Sequence, residues 1–367
     1  MEVEKLPWEL EVEILSRVPP LSLVRFRTVC KRWQTLFNDK MFINNHLAHS
    51  RPQFILCTKS QIYSACIHDL DGNDPSIKMR KLVLDYPNFM LPKKIVYCDG
   101  FLLCISDQGV AVWNPWLRQT RWLDYHESCG IRKYGILYDI KSNGYKILRY
   151  VIDLDACLAN RKIQIYEIAS NAWKVVNVED TLKENLIYLS NSVSLNGTLY
   201  YIAFTYEDSC WYSIRRFTCA TEKFDTLCRL PCKNVRENTR VLALFKRDRL
   251  SVLEQCDATN EIVVWVTKEN IKNEDDEAVL WVKFMTVSIS IPKLYHKNYN
   301  FICDPCYFID DTDDKRLVVC FGDQFGQACI YIVKGHELKK IKIDPMVESL
   351  TNVCAYIPSL VPILGQI

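Results

Sequence analysis

Cys303 and Cys306 stand in the run Cys303-Asp304-Pro305-Cys306, the spacing of half a zinc site or of a redox dithiol. Either chemistry needs a second such pair, two histidines at a His-x3–5-His spacing or a βαβ setting, and the chain offers none, so a turn entering a strand at 307–309 is expected. His46 and His49, with Cys57 and Cys66 further on, supply four potential ligands. Their spacing fits no zinc class, and surface histidines on a linker helix are the plainer reading. Asp310, Asp311, Asp313 and Asp314 could hold a cation, yet they lack the glycine and terminal glutamate of an EF-hand loop and adjoin Lys315 and Arg316. A solvated turn is expected there, and an exposed loop over the acidic run 273–277. Lys246, Arg247 and Arg249 could touch phosphates, but one short basic turn is no nucleic-acid footprint. Asn196-Gly197-Thr198 matches a glycosylation sequon and reads as a hairpin tip.

Catalytic motifs fare no better. With 11 glycines the chain has neither a dinucleotide loop nor a P-loop, and it carries no GxSxG or HExxH. Six scattered histidines are poor material for acid–base chemistry. The expectation is no catalytic residue, no metal and no cofactor, so the elements that would have positioned them must be read for binding.

The densest signal is residues 6–37, three short helical patterns overloaded with apolar side chains. Leu10, Ile14 and Val18 recur at i+4, with Leu6 and Leu15 beside them. Pro7 suits a first helical turn, Pro19 and Pro20 stop the helix, and Ser22 is the expected N-cap of a second helix carrying Leu23, Val24 and Phe26. Val29, Cys30, Trp33, Leu36 and Phe37 then mark a third helical face. A unit of roughly 40 residues rarely stands alone, so a partner protein is expected to bury the surplus.

Leu6-Pro7, Glu13-Ile14-Leu15, Val18-Pro19, Ser22-Leu23, Arg25-Phe26-Arg27 and Val29-Cys30-Lys31, followed by Trp33, resemble the F-box, with Glu9 where many members have Asp. That resemblance implies docking on the Skp-family adaptor of SCF ubiquitin ligases and, through it, on cullin and RING subunits. Leu6, Pro7, Leu10, Ile14, Leu15, Leu23 and Cys30 are the candidate adaptor contacts; Phe26, Val29 and Trp33 are assigned to the motif's own core. The alternative is a helical bundle packed only on its own downstream domain.

At 367 residues, 49% hydrophobic and with a net charge of +2, the chain reads as folded, with no global field recommending nucleic acid or an anionic membrane. No window is long and apolar enough to span a bilayer, and the acidic start leaves no room for a signal peptide. Seventeen scattered cysteines are therefore expected as reduced, small hydrophobes, and a nuclear or cytoplasmic location follows.

Beyond residue 50 the helical period gives way to short β patterns broken by Asp71-Gly72, Asp99-Gly100, Asn143-Gly144 and Asn196-Gly197 hairpin signals. A unit of about 50 residues recurs over 100–123, 145–176, 196–227, 249–287 and 316–343, a kelch-like period. Trp113, Tyr166, Phe217, Trp265 and Tyr331 hold matching places in it. The leftover pieces 53–70 and 353–363 are expected to pair into a sixth blade. The fold class is α+β multi-domain: a small three-helix N-terminal unit and an all-β, kelch-like propeller of six blades, with an open β-sandwich stack as the rival. Domain bounds are expected at 1–45, 46–93 (linker plus first propeller strands) and 94–362.

Asp99-Gly100-Phe101-Leu102-Leu103-Cys104, Val112-Trp113-Asn114-Pro115, Asn171-Ala172-Trp173, Trp265-Val266-Thr267, Trp281-Val282-Lys283-Phe284 and Tyr356-Ile357-Pro358-Ser359-Leu360 are similar to the plant F-box-associated interaction domain. The two resemblances together imply a substrate receptor of an SCF-type ligase, itself non-catalytic, with the β domain recruiting a client protein. An F-box module acting outside a ligase and a catalytic kelch-type propeller are the alternatives. Client contacts are expected on connecting loops, with Tyr206, Trp211, Tyr212, Tyr295 and Tyr299 as candidates. Neither nucleic acid nor membrane is an expected partner.

Overall fold

Two prolines set the beginning of the helical unit. Pro7 is extended (ψ 142°) ahead of α1 (Trp8–Ser16), and Pro19, likewise extended, precedes α2 (Pro20–Phe26). Pro19 is held out of the helical region by the proline that follows it, and Pro20 suits the first helical position, so α2 starts before Ser22, which lies inside it rather than capping it. The third helix is shorter than its apolar spacing suggests: α3 (Lys31–Leu36) is capped by Cys30 Sγ, which accepts from Trp33 N at 3.4 Å. A fourth helix, α4 (Lys40–His49), is capped by Asp39 Oδ1 accepting from Phe42 N at 2.9 Å. α4 folds back on α1 and buries Phe42, Ile43, His46 and Leu47. His46, expected on the surface, is therefore interior, its Nε2 2.8 Å from the Val18 carbonyl oxygen. His49 is exposed.

The structure is a computed structural model that describes residues 6–70, 72, 74–84, 91–107, 109–123, 131–139, 141–142, 144–152, 161–176, 186–188, 192–205, 211–271, 278–288, 291–294, 304–311, 315–323, 325–343 and 348–363.

Six antiparallel sheets follow the helices. The first holds β1 (Gln53–Thr58), β2 (Ile62–His68) and β3 (Ser76–Leu82); the second β4 (Lys94–Cys98), β5 (Phe101–Ser106), β6 (Gly109–Asn114) and β7 (Gln119–Leu123). Next come β8 (Ile131–Asp139), β9 (Gly144–Ile152), β10 (Arg161–Glu167) and β11 (Ala172–Val176). In the fourth sheet β12 (Leu186–Tyr188) and β13 (Val193–Leu195) both pair with β14 (Thr198–Thr205), followed by β15 (Trp211–Thr218) and β16 (Lys223–Arg229). The fifth has β17 (Thr239–Phe245), β18 (Arg249–Gln255), β19 (Ile262–Thr267) and β20 (Trp281–Val287); the sixth β21 (Cys306–Asp310), β22 (Arg316–Gly322), β23 (Ala328–Lys334) and β24 (Glu337–Lys342). Last, β25 (Leu350–Tyr356) returns to pair with β1 as the innermost strand of the first sheet.

Innermost strands β25, β4, β8, β13, β17 and β21 neighbour one another in a closed ring, so the sheets are six propeller blades and the sandwich stack is set aside. Burial follows position. β6 is buried throughout and β22 and β23 nearly so, whereas the outermost β3, β11 and β24 are mostly exposed. Trp113, Tyr166, Phe217 and Tyr331 all occupy the third strand of their blades and are buried. Trp265 shares that place but is only half-buried, beside a β-bulge between β19 and β20. Asp99-Gly100 (φ 46° and 86°) and Asn196-Gly197 (φ 51° and 74°) form two-residue hairpins with both residues left-handed; Asn143 and Asp71 lie outside the described residues.

The C-terminal tail stitches the ring and then reaches the helices. Asn352 Oδ1 accepts from Ile95 N at 3.1 Å, and Tyr356 OH donates to the Gly100 carbonyl at 3.1 Å. Asn114 Nδ2 donates to the Ser359 and Val361 carbonyls at 3.2 and 2.8 Å. A Cβ at Gly100 would stand 1.8 Å from Ser359 Cβ, so this approach requires glycine. Leu360 is fully buried, packed among Leu15, Leu23, Phe37, Phe42 and Ile43 of the helices. Lys40 Nζ donates to Tyr138 OH at 3.2 Å nearby.

Truncating Leu360 to alanine is expected to lower the unfolding free energy by about 2–5 kcal/mol in urea denaturation, and a loss under about 1 kcal/mol would contradict this seat. Burial also holds the His46 imidazole below its ordinary range. The unfolded chain then binds the extra proton more readily, so stability is full above the ordinary His pKa and falls as pH drops below it. Melting temperature should fall between about pH 7.5 and pH 5.5, and His46→Gln should flatten that slope.

Candidate adaptor-docking and client-binding surfaces

α1 carries two apolar stripes. Val12 and Leu15 turn inward, three apart, onto the core shared with Leu23, Phe37 and Leu360. Leu6, Leu10 and Ile14, spaced by four, face solvent with 50%, 52% and 55% of their surfaces exposed. Pro7 and Cys30 are exposed as well. Leu15 and Leu23, at 4% and 0%, belong to the interior and are removed from the candidate docking set. Spacing alone had merged the two stripes into one.

Val29 moves the opposite way. Assigned to the motif core, it is 62% exposed, because α3 begins at Lys31 and leaves Val29 in the preceding turn. Phe26 and Trp33 are half-buried against the core with ring centroids 5.5 Å apart. Trp33 Nε1 donates to Glu11 Oε1 at 2.6 Å, and the Arg32 guanidinium lies 3.4 Å over the Trp8 ring, so α3 is strapped beside α1. The arrangement leaves a fixed helix with an uncovered aliphatic stripe. Exposed apolar surface on an ordered helix is what a partner surface covers.

Among the client candidates, Trp211 is half-exposed, with the Arg229 guanidinium 4.3 Å from its ring centroid. Tyr212 is buried: its ring packs 4.7 Å from Phe204, Arg240 covers it at 3.8 Å, and its hydroxyl donates to the Arg236 carbonyl at 3.5 Å. Its side chain is buried inside the ring, where it borders the central cavity, rather than exposed on a connecting loop. Tyr206, Tyr295 and Tyr299 lie outside the described residues.

Sequence reading missed the ring's interior. A cavity of about 1360 Å³ is lined by the inner strands and, at one mouth, by Lys40, Ile43 and Leu47 of α4. Asp99 borders it. Tyr145 OH donates to its carboxylate at 3.5 Å; burial pushes the carboxyl up, while Arg247 opposes the shift. Phe325 was also missed. It is 77% exposed at the β22–β23 turn, at the end of the ring away from α4. Asp323 Oδ1 accepts from Phe325 N and Gln327 N at 2.9 and 3.0 Å and fixes that turn. The sequence signal was the Asp323 and Gly326 punctuation around a lone aromatic.

Of the remaining chemical candidates, the acidic run 273–277 lies outside the described residues. Asp310 pairs with Arg316 at 3.2 Å and Asp311 with Lys246 at 2.6 Å; Asp313 and Asp314 lie outside the described residues. Arg249 sits over Phe245 at 4.6 Å. Cys306 opens β21, and Cys303 lies outside the described residues. Cys57 is buried within the first blade, apart from His46. Among the described residues no three His, Cys, Asp or Glu converge on a possible metal site, and no helix is long and apolar enough to cross a membrane.

Comparison with known proteins matches the helical unit and the propeller to two families. Residues 3–45 match the F-box domain and residues 53–363 the F-box associated beta propeller domain. The Arabidopsis thaliana chain named "Putative F-box protein At3g16590" is 47% identical over 98% of both chains. Another Arabidopsis chain, F-box/kelch-repeat protein At3g16580, is 42% identical over 98% of this chain and 93% of its own. The chain belongs to the plant F-box proteins that carry an F-box-associated β-propeller domain.

Proposed function

We propose that this protein is the substrate-recognition subunit of an SCF-type ubiquitin ligase. The stripe of Leu6, Leu10 and Ile14, together with the exposed Pro7 and Cys30, docks on a Skp-family adaptor that connects to cullin and RING subunits. The propeller holds a client protein at the same time. Its work is proximity: a tethered client meets the charged ubiquitin carrier at high effective concentration, and no residue of this chain takes part in bond making. A nuclear or cytoplasmic setting belongs to this reading. Its main support is the face of α1 left uncovered while the opposite face is sealed by α4 and Leu360. Covering the exposed halves of three aliphatic side chains contributes on the order of 3–5 kcal/mol gross, before the costs of association.

The full-length chain carrying Leu10→Glu and Ile14→Glu should capture the adaptor at least about tenfold less well than wild type. Its unfolding free energy should stay within about 1 kcal/mol, because both positions are already in water. Undiminished capture would contradict the docking face. Copurification of cullin with the adaptor separates a ligase subunit from an F-box module that works outside a ligase.

A further inference from the structure

One cleft between blades collects positive charge without a direct counter-ion among the described residues. Lys94, the first residue of β4, and Lys133 in β8 line a cleft of about 60 Å³ together with Ser192, Leu199 and Tyr201. β4 and β8 are adjacent in the inner ring. Lys94 enters that ring at the end opposite the Asp99-Gly100 hairpin and therefore opposite α4. Neither ammonium group makes an ion pair or hydrogen bond with a described residue. Ser192 Oγ is buried and unsatisfied. Gly135 keeps the wall of the cleft bare: a Cβ there would lie 3.2 Å from Ser192 Oγ and 2.5 Å from Leu199 Cδ1.

We infer that this cleft binds a phosphate-type oxyanion, with Lys94 and Lys133 as its counter-charges and Ser192 Oγ as a hydrogen-bond donor. Two like charges held at one small cleft are unfavourable unless an anion joins them. Burial, reinforced by Lys133, already holds the Lys94 ammonium down to about 8, and the nearby Asp304 carboxylate only opposes that shift. The cleft's volume of about 60 Å³ is the scale of one small anion rather than of a nucleotide. Lysine serves such a group as a point charge, without the planar fork that arginine brings. Free phosphate and the phosphate of a modified client side chain present the same oxygens. The second source rests on the receptor reading above and would seat the client on the face away from the F-box.

Full-length protein is titrated with inorganic phosphate by calorimetry and by thermal melting. Wild type should bind saturably and melt at a temperature that rises with phosphate. Lys94→Gln and Lys133→Gln should each weaken binding by about tenfold or more, and Ser192→Ala by less. In phosphate-free buffer both lysine variants should melt at or above wild type, since each removes a like-charge repulsion, so lost binding is not lost folding. Lys246→Gln, distant and paired with Asp311, should keep the full response. A wild type indifferent to phosphate, or lysine variants that bind it unchanged, would overturn the site. N-acetyl-phosphoserine amide separates the sources: binding as tight as phosphate supports a client side chain, and exclusion of the ester while phosphate binds supports the free anion. Adaptor capture is expected to be unchanged in all these variants, so failure of either reading shows without the other.

Discussion

The antiparallel pairing of Leu350–Tyr356 with Gln53–Thr58 is the constraint on which the rest of the molecule depends. It turns a row of sheets into a ring by joining the two ends of the β region. Loop-closure entropy rises slowly, about 0.6 kcal/mol per doubling of length, so the length of chain enclosed is not the obstacle. What must hold is the seam, and the seam is dense with specific bonds. Asn352 to Ile95 and Tyr356 to Gly100 tie the last strand to the second blade, and Asn114 ties the tail beyond it. A glycine at 100 is required for the tail to pass at all.

The same tail settles how the helical unit is carried. Leu360 completes the helical core, while Leu21 packs against the cluster around Trp113 and Tyr356. One side of the F-box is thereby consumed by its own propeller. α1 is left with a single open stripe, and its orientation is set by packing on the closed ring rather than by a loose linker. On the receptor reading proposed above, that packing sets where a client stands relative to whatever α1 holds. The far mouth, with Phe325 and the Lys94–Lys133 cleft, lies at the other end of the ring.

Much of this was legible in the residues. Proline positions and apolar spacing marked the helices; a repeat of strand, turn and aromatic marked the blades; and the two leftover strand-like ends pointed to closure. The misses share one physical cause: spacing along the chain does not say which neighbour a face will meet. Leu15 and Leu23 looked like docking residues because nothing in α1 or α2 announces that α4 and Leu360 will cover them. His46 looked exposed until α4 folded back against Val18. Tyr212 lost its surface to Phe204 and Arg240, and Trp265 lost part of its burial beside a bulge no local pattern announces. Lys94 and Lys133 become neighbours only when the ring places β4 beside β8.

The central claim is that the open stripe of α1 meets a foreign subunit while its buried stripe stays on the propeller. Amide hydrogen exchange of the full-length chain, with and without a Skp-family adaptor, reads both at once. The account predicts slowed exchange across Trp8–Ser16 on adding adaptor, with α4 and Leu350–Tyr356 unchanged. Protection confined to the propeller, or no protection of α1 at saturating adaptor, would contradict it.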